Sequence, residues 1–278
     1  MRATFWLLEA PDSLAQQSRR NPDGTGLGYY DERDQPVVIK QPLAAYEDHQ
    51  FAQEAKEVSS RTFIAHVRYA SGTPVTVRNT HPFVQDRRLF AHNGVIGDLP
   101  ELERELGPAM SVVGGETDSE RYFALITRQI ARTGDLGGGI VGAARWIAEH
   151  LPVFSLNCVL ITDSDVWALR YPDVHELYVL EREAGGSSGN RHLETASARG
   201  SVRVRSGDLA HRPAVIIASE TIDEHPGWRP LQSGQLVHVD PDLKVTVTQA
   251  IDQAPAQQLT LADLEPAAAE SQRPDKRP

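Results

Sequence analysis

The sequence predicts an α+β layered domain rather than an alternating βαβ fold. Three observations carry this. Strand-type segments dominate the chain up to Asn93, with apolar residues alternating at period two. Two helix-type segments then come in succession, from about Thr117 and from about Ile140. After His150 the chain is again mostly strand. No shift in composition marks a boundary before Asp252, so residues 1–251 read as one domain. Residues 252–278 are rich in Pro, Ala and Gln and read as a flexible tail.

Each element has its own local reason. "NPDGTGLGYYD" (Asn21 to Asp31) is a turn followed by a strand, and "QPVVIKQ" supplies its hairpin partner. Residues 45–58 are rich in Glu, Gln and Ala and read as a helix. In "RTFIAHVRYAS", Phe63, Ala65, Val67 and Tyr69 face one way, and Ile64, His66 and Arg68 the other. A Gly/Pro-bearing loop spans Ser71 to Pro82, and "RRLFAHN" is the next strand. "GETDSERYFALITRQIAR" places Tyr122, Phe123, Ile126 and Ile130 on one helical face. Thr117 followed by Glu120 has capping-box spacing, so this helix starts near Thr117. A second helix covers about Ile140 to His150. Asp163-Ser164 is the turn of the first hairpin among the later strands. Glu183 to Ser201 is a polar, Gly/Ser-rich loop, and Thr260 to Leu264 a short helix in the tail.

Composition narrows the function classes. The chain has 278 residues, 40% hydrophobic and 24% charged, with net charge −10. That is ordinary globular composition, and an acidic chain is a poor partner for nucleic acid or an anionic membrane. No apolar run approaches the roughly 18–20 residues of a membrane span. The apolar start, Ala3 to Leu8, stops at Glu9, short of a secretory signal. Cys158 is the single cysteine, which excludes an intrachain disulfide and fits a cytoplasmic location.

Several segments offer chemistry. Gly137 to Gly142 fits G-x-G-x-x-G, but it comes after a helix instead of a strand. It reads as a flexible helix–helix connection. Cys158, in "SLNCVLI", reads as a buried small hydrophobe. His66, His81 and His92 lack metal-ligand spacing and read as hydrogen-bonded structural residues. Arg68, at a strand end, is either a rim arginine or a bidentate clamp for a carboxylate. Asp118, in a first helical turn, is either a helix-start residue or a counter-ion for an ammonium. Asn93 and Gly94, in "FAHNGVIGDL", offer a side-chain amide and an unobstructed backbone N–H. Two such donors can hold an oxyanion. Together these describe hydrolysis of a side-chain amide on an α-amino acid head, namely glutamine or a γ-glutamyl compound.

"NPDGTGLGYY", "FIAHVRYASGTPVTVRNTHPF", "FAHNGVIGDL" and "GETDSERYFALI" stand in this order over the first half of the chain. "VWALRY", "IASE" and "PGWRPLQSGQLVHVD" extend the likeness to about Asp240. The chain thereby resembles the class II glutamine amidotransferases, N-terminal-nucleophile hydrolases with a four-layer αββα sandwich. It looks most like the stand-alone members. The resemblance implies that Arg68 binds the substrate α-carboxylate and Asp118 its α-ammonium. It makes Asn93 and Gly94 the oxyanion hole, and places Ser71 and His81 along the substrate site. It implies no metal or organic cofactor, and allows a synthase or ammonia-acceptor partner. The family nucleophile is a cysteine directly after the initiator methionine, whose own α-amine is the base. Here Arg2 follows Met1. "TFWLLEAPDSLAQQS" resembles the segment after the first strand in such proteins, so a strand and its leading cysteine are expected to be missing. Two explanations stand: a start placed too late, or a variant without the nucleophile that binds glutamine or a partner without catalysis.

Overall fold

A computed structural model describes residues 3–10, 12–184, 193–196, 203–206 and 212–273. Among these, the first strands are β1 (Thr25–Tyr30), β2 (Pro36–Gln41), β3 (Phe63–Val67), β4 (Phe83–Gln85) and β5 (Arg88–Asn93). Two-residue β6 (Pro152–Val153) precedes β7 (Asn157–Ile161), β8 (Val166–Arg170) and β9 (Tyr178–Arg182). The hairpin β10 (Leu193–Ala196) and β11 (Arg203–Ser206) leads to β12 (Ala214–Ala218) and the short β13 (Arg229–Pro230). Then come β14 (Gln235–Val239), β15 (Val245–Gln249) and the short β16 (Gln257–Gln258). The helices are α1 (Leu14–Gln17), α2 (His49–Glu57), α3 (Leu99–Leu106), α4 (Asp118–Thr133), α5 (Leu136–His150) and α6 (Pro266–Ser271).

Period-two alternation sorts these strands into layers. One sheet has six antiparallel strands in the order β15-β14-β8-β7-β5-β4. Phe90, Cys158, Leu160 and Leu169 on one face pack with Tyr122, Phe123, Ile126, Ile140 and Ile147 of α4 and α5. On the opposite face, Leu89, Ala91 and Ile161 pack with Tyr30 and Ile64 of a three-stranded sheet, β2-β1-β3. Ala168, Val237 and Val239 pack with Val179, Val215 and Ile217 of another, β12-β9-β13. A one-turn π-helix, Phe5–Glu9, covers the outer faces of both small sheets. Its Phe5 and Trp6 meet Leu180 and Ala214, and Leu7 joins Leu27, Phe51 and Ala55. The layers are helix, paired small sheets, six-stranded sheet, helix: the αββα sandwich. Each fully buried Leu or Phe in these interfaces contributes roughly 1.5–3 kcal/mol. No described helix is long and apolar enough to cross a membrane.

Several local expectations change. Gly137 to Gly139 lie inside α5 and are no flexible connection; the link to α4 is Gly134-Asp135. Gly134 is left-handed (φ 72°) and ends α4. Gly139 lets the two helices touch, since a Cβ there would sit 2.4 Å from Ile130 Cγ1. The capping box is only half formed: Thr117 accepts from Glu120 N–H, but the Glu120 carboxylate accepts from Gly114 and Gly115 instead. Of the loop expected over Glu183 to Ser201, Leu193–Ala196 form a strand, and 185–192 and 197–201 lie outside the described residues. The expected tail is packed through Arg273. Gln257–Gln258 pair with β6, Gln253 accepts from the Tyr171 hydroxyl, and Gln272 Oε1 accepts from His175 Nε2 at 2.7 Å. Its short helical turn is Leu261–Asp263, and residues 274–278 lie outside the described residues.

Candidate active site

β5 ends at Asn93, and the next residues must leave the sheet between α4 and the loop before β7. Gly94 makes this possible: a Cβ there would lie 1.9 Å from the Ser155 carbonyl oxygen. The neighbouring His92 fixes the turn from beneath. Its Nδ1 meets Ser119 Oγ at 2.9 Å and its Nε2 meets the Ser155 carbonyl at 3.0 Å. Burial lowers the His92 pKa, opposed by Asp118 and by the Ser155 carbonyl. From the other side, Asp118 Oδ2 accepts from Ile96 N–H at 2.9 Å, and Oδ1 accepts from Ser119 N–H at 2.7 Å. The first turn of α4 and the Asn93-Gly94 turn therefore hold one another.

Arg68 follows β3 and is 5% exposed, so it is buried and not a rim residue. Its Nη2 donates to Thr73 Oγ1 at 2.6 Å and to the Thr73 carbonyl, and its Nη1 to the Pro74 carbonyl. Neutral oxygens thus cradle the guanidinium. Burial lowers its pKa, and the charges of Asp23 and Asp118 oppose that.

Arg68, Ser71, His81, Asn93, Gly94 and Asp118 all line one cavity of about 570 Å³. That size is ordinary for a small-molecule site. Around it stand the ends of both small sheets: Ala65, His66 and Val67 of β3, and Ser219, Glu220 and Thr221 just after β12. A second cavity, about 640 Å³, lies against residues 252–261 and shares only Val174, His175 and Gln272 with it.

The three histidines differ. His92 is hydrogen-bonded, as expected of a structural residue. His81 is 5% exposed, yet neither ring nitrogen has a partner, and His66 Nδ1 has none. Their rings lie 4.3 Å apart. Burial and neighbouring charge lower both pKa values, that of His66 to about 4. Among the described residues, no group of three or more His, Cys, Asp and Glu is placed to hold a metal ion. Cys158 lies outside the cavity, on the α4 side of the large sheet, 2% exposed and 3.8 Å from the Tyr122 hydroxyl. Burial pushes its thiol up to about 12.

Sequence reasoning did not single out Asp12, Arg20 and Glu220, which line the same cavity. They come from two separate segments and carry no local motif.

A buried arginine, a helix-start aspartate and an Asn-Gly turn thus share one cavity in an αββα sandwich. The chain belongs to the class-II glutamine amidotransferases, whose family model matches residues 12–262. It is 29% identical over 136 residues to a probable glutamine amidotransferase of Saccharomyces cerevisiae, spanning 44% of this chain and 38% of that protein's length. It is 27% identical over 252 residues to the γ-glutamyl-hercynylcysteine sulfoxide hydrolase of Mycolicibacterium smegmatis, spanning 87% of this chain and 92% of that one. In fold it is similar to a glutamine aminotransferase class-II domain protein from Silicibacter pomeroyi, with a TM-score of 0.56 at 19% identity, covering 83% of this chain and 92% of the other.

Proposed function

We propose that this chain provides the substrate-binding and oxyanion-binding half of a glutaminase-type site, acting on glutamine or a γ-glutamyl amide. The observation that carries this is the convergence of Arg68, Asp118, Asn93 and Gly94 on one cavity. Arg68 takes the substrate α-carboxylate and Asp118 its α-ammonium, and Ser71 and His81 line the bound chain. Asn93 Nδ2 and Gly94 N–H receive the amide oxygen as it becomes an oxyanion.

The covalent step requires a thiol. A thiolate attacks the amide carbon, forming the C–S bond, and the electron pair of the carbonyl moves onto oxygen. Collapse breaks the C–N bond, and the leaving nitrogen takes up a proton. Water then cleaves the γ-glutamyl thioester, returning the thiol and releasing glutamate. Cys158 cannot serve, being buried on the wrong side of the sheet with its pKa raised. The nucleophile in this reading is a cysteine outside these 278 residues, with a free α-amine of pKa near 8 as its base. The edges of β3 and β12 carry no partner strand among the described residues, and both border the cavity. A strand bearing that cysteine fits there. The same reading places the protein in a reducing cytoplasm, with a synthase or other ammonia acceptor as its partner. A second reading is favoured by the position of Cys158 alone: a non-catalytic binder of glutamine or a γ-glutamyl ligand.

The test has two parts. Calorimetry should show glutamine binding to the 278-residue chain, without ammonia release. Extending the chain with the residues encoded in frame upstream should restore ammonia release if they begin Met-Cys. An in-frame stop directly upstream favours the binder. Robust ammonia release by the 278-residue chain that survives Cys158→Ala refutes the scheme.

A further inference from the structure

The cavity has charges that the head-group scheme does not use. Arg20, just past α1, donates through Nη2 to both Asp12 carboxylate oxygens at 3.3 Å and to Glu220 Oε2 at 3.0 Å. Asp12 and Arg20 flank α1 and Glu220 follows β12, so two distant segments meet on this wall. One arginine shared by two carboxylates leaves the trio with a net charge of −1. Of the other charged groups lining the cavity, Glu176 shares Arg170 with Asp173 and Arg273 pairs with Glu270. Glu176 lies 3.4 Å from Arg170 Nη2, and Arg273 lies 3.6 Å from Glu270.

Among the described residues, Asp12, Arg20 and Glu220 make no hydrogen bond or ion pair with Arg68 or Asp118. The charges that bear on Arg68 are Asp23 and Asp118, whereas those that bear on Glu220 are Arg20 and Asp12. Burial raises the Glu220 pKa and Asp12 adds to it, while Arg20 opposes the shift. An independent feature marks the same cavity as one that takes a polar ligand. His81, 5% exposed and lining it, has both ring nitrogens unpartnered. Leaving such groups unmade is costly, typically about 1–3 kcal/mol each.

We infer that Asp12, Arg20 and Glu220 form a leaving-group subsite, and that it selects γ-glutamyl amides whose amine portion carries a positive charge. This rests on the reading of Arg68 and Asp118 as the head-group end. Free glutamine, whose leaving group is ammonia, leaves this wall unused. An anionic leaving group meets two carboxylates against the single Arg20 guanidinium. A cation placed near Glu220, whose side chain is half exposed, compensates the surplus. The subsite thus separates γ-glutamyl compounds by the charge of what is released.

A matched series tests this on the 278-residue chain by calorimetry at pH 7. The probes are the γ-glutamyl amides of 1,4-diaminobutane, butylamine and 4-aminobutyrate, with glutamine beside them. The first three share one chain length and end in an ammonium, a methyl and a carboxylate. The ammonium probe should bind at least fivefold tighter than the methyl probe, and the carboxylate probe weakest. In Glu220→Gln, and separately in Asp12→Asn, the ammonium-to-methyl ratio should shrink below twofold. The ratio is internal to each variant, so partial loss of active protein does not disturb it. If glutamine binds and the three amides bind equally, the subsite is overturned while the head-group reading stands. If the ratio persists in both variants, the assignment to these carboxylates is wrong. If neither glutamine nor any amide binds, the head-group reading fails and the subsite with it.

Discussion

The Asp118 carboxylate accepts a hydrogen bond from the backbone N–H of Ile96 at 2.9 Å, two residues beyond Gly94. One side chain thus spans the start of α4 and the Asn93-Gly94 turn. It lines the cavity while it does so. The structural role of this residue and its proposed binding role therefore fall on one carboxylate, and substitutions must be chosen to separate them.

Asp118→Asn keeps an oxygen able to accept from Ile96 N–H and removes the charge. Glutamine affinity should fall about tenfold, which corresponds to about 1.4 kcal/mol, with a smaller drop in unfolding midpoint than in Asp118→Ala, because only Ser119 N–H loses its acceptor. Asp118→Ala should also lower stability, by about 1–3 kcal/mol, because Ile96 and Ser119 lose their acceptor. Calorimetry and urea unfolding read the two effects apart. Glutamine binding by Asp118→Asn equal to the parent's would leave Asp118 as a helix-start residue only.

Gly94→Ala tests the turn itself. The added methyl would meet the Ser155 carbonyl oxygen, which is backbone and cannot rotate away. Urea unfolding should show a loss of about 1–3 kcal/mol, the usual cost of forcing a group into a packed site. In a form carrying the thiol, turnover should fall further than the glutamine affinity does. A parent-like midpoint would mean the turn relaxes freely.

Cys158 should be inert. Its thiol is buried and its pKa raised to about 12, so almost no thiolate exists at pH 7. A colorimetric disulfide reagent should label it only on unfolding, and Cys158→Ala should leave glutamine binding unchanged. Fast labelling of the native chain contradicts this placement.

Stability should fall in mild acid because of the cavity histidines. Burial lowers the folded pKa of His66 to about 4, and lowers those of His81 and His92, from the ordinary 6.5. The unfolded chain then binds more protons than the folded one between those values. Stability is therefore full above pH 6.5 and is lost as pH falls toward 4, with a slope of at most about 1.4 kcal/mol per unit for each group. His81→Gln removes one such group and should make the slope shallower. A parent-like slope in that variant assigns the acid sensitivity to other residues.

Much of this architecture is legible in local pattern. The alternation in "RTFIAHVRYAS" and the apolar spacing in "GETDSERYFALI" gave β3 and α4 within a residue or two of their ends. Local pattern misread other places for identifiable reasons. Glycines at 137–139 look like a break, because propensity counts only their backbone freedom. In the fold they allow close contact with Trp167 and Ile130, which only the neighbouring elements impose. Residues 252–273 look loose by composition, yet Tyr171, His175 and β6 hold them. Arg68 could be read as a rim residue until the loop at Thr73-Pro74 closed over it.

By itself the sequence determined the class of chemistry available: an arginine, an aspartate at a helix start, and an Asn-Gly turn, in an acidic chain with one cysteine. These are properties of residue type and of neighbours within a few positions, which covalent spacing fixes. Only the tertiary structure decided that they share a cavity, that Cys158 faces away from it, and that Asp12, Arg20 and Glu220 meet on its wall. Residues two hundred positions apart become neighbours only when two small sheets pack on the same face of a larger one. That packing is set by apolar burial along all the strands, which no single motif records.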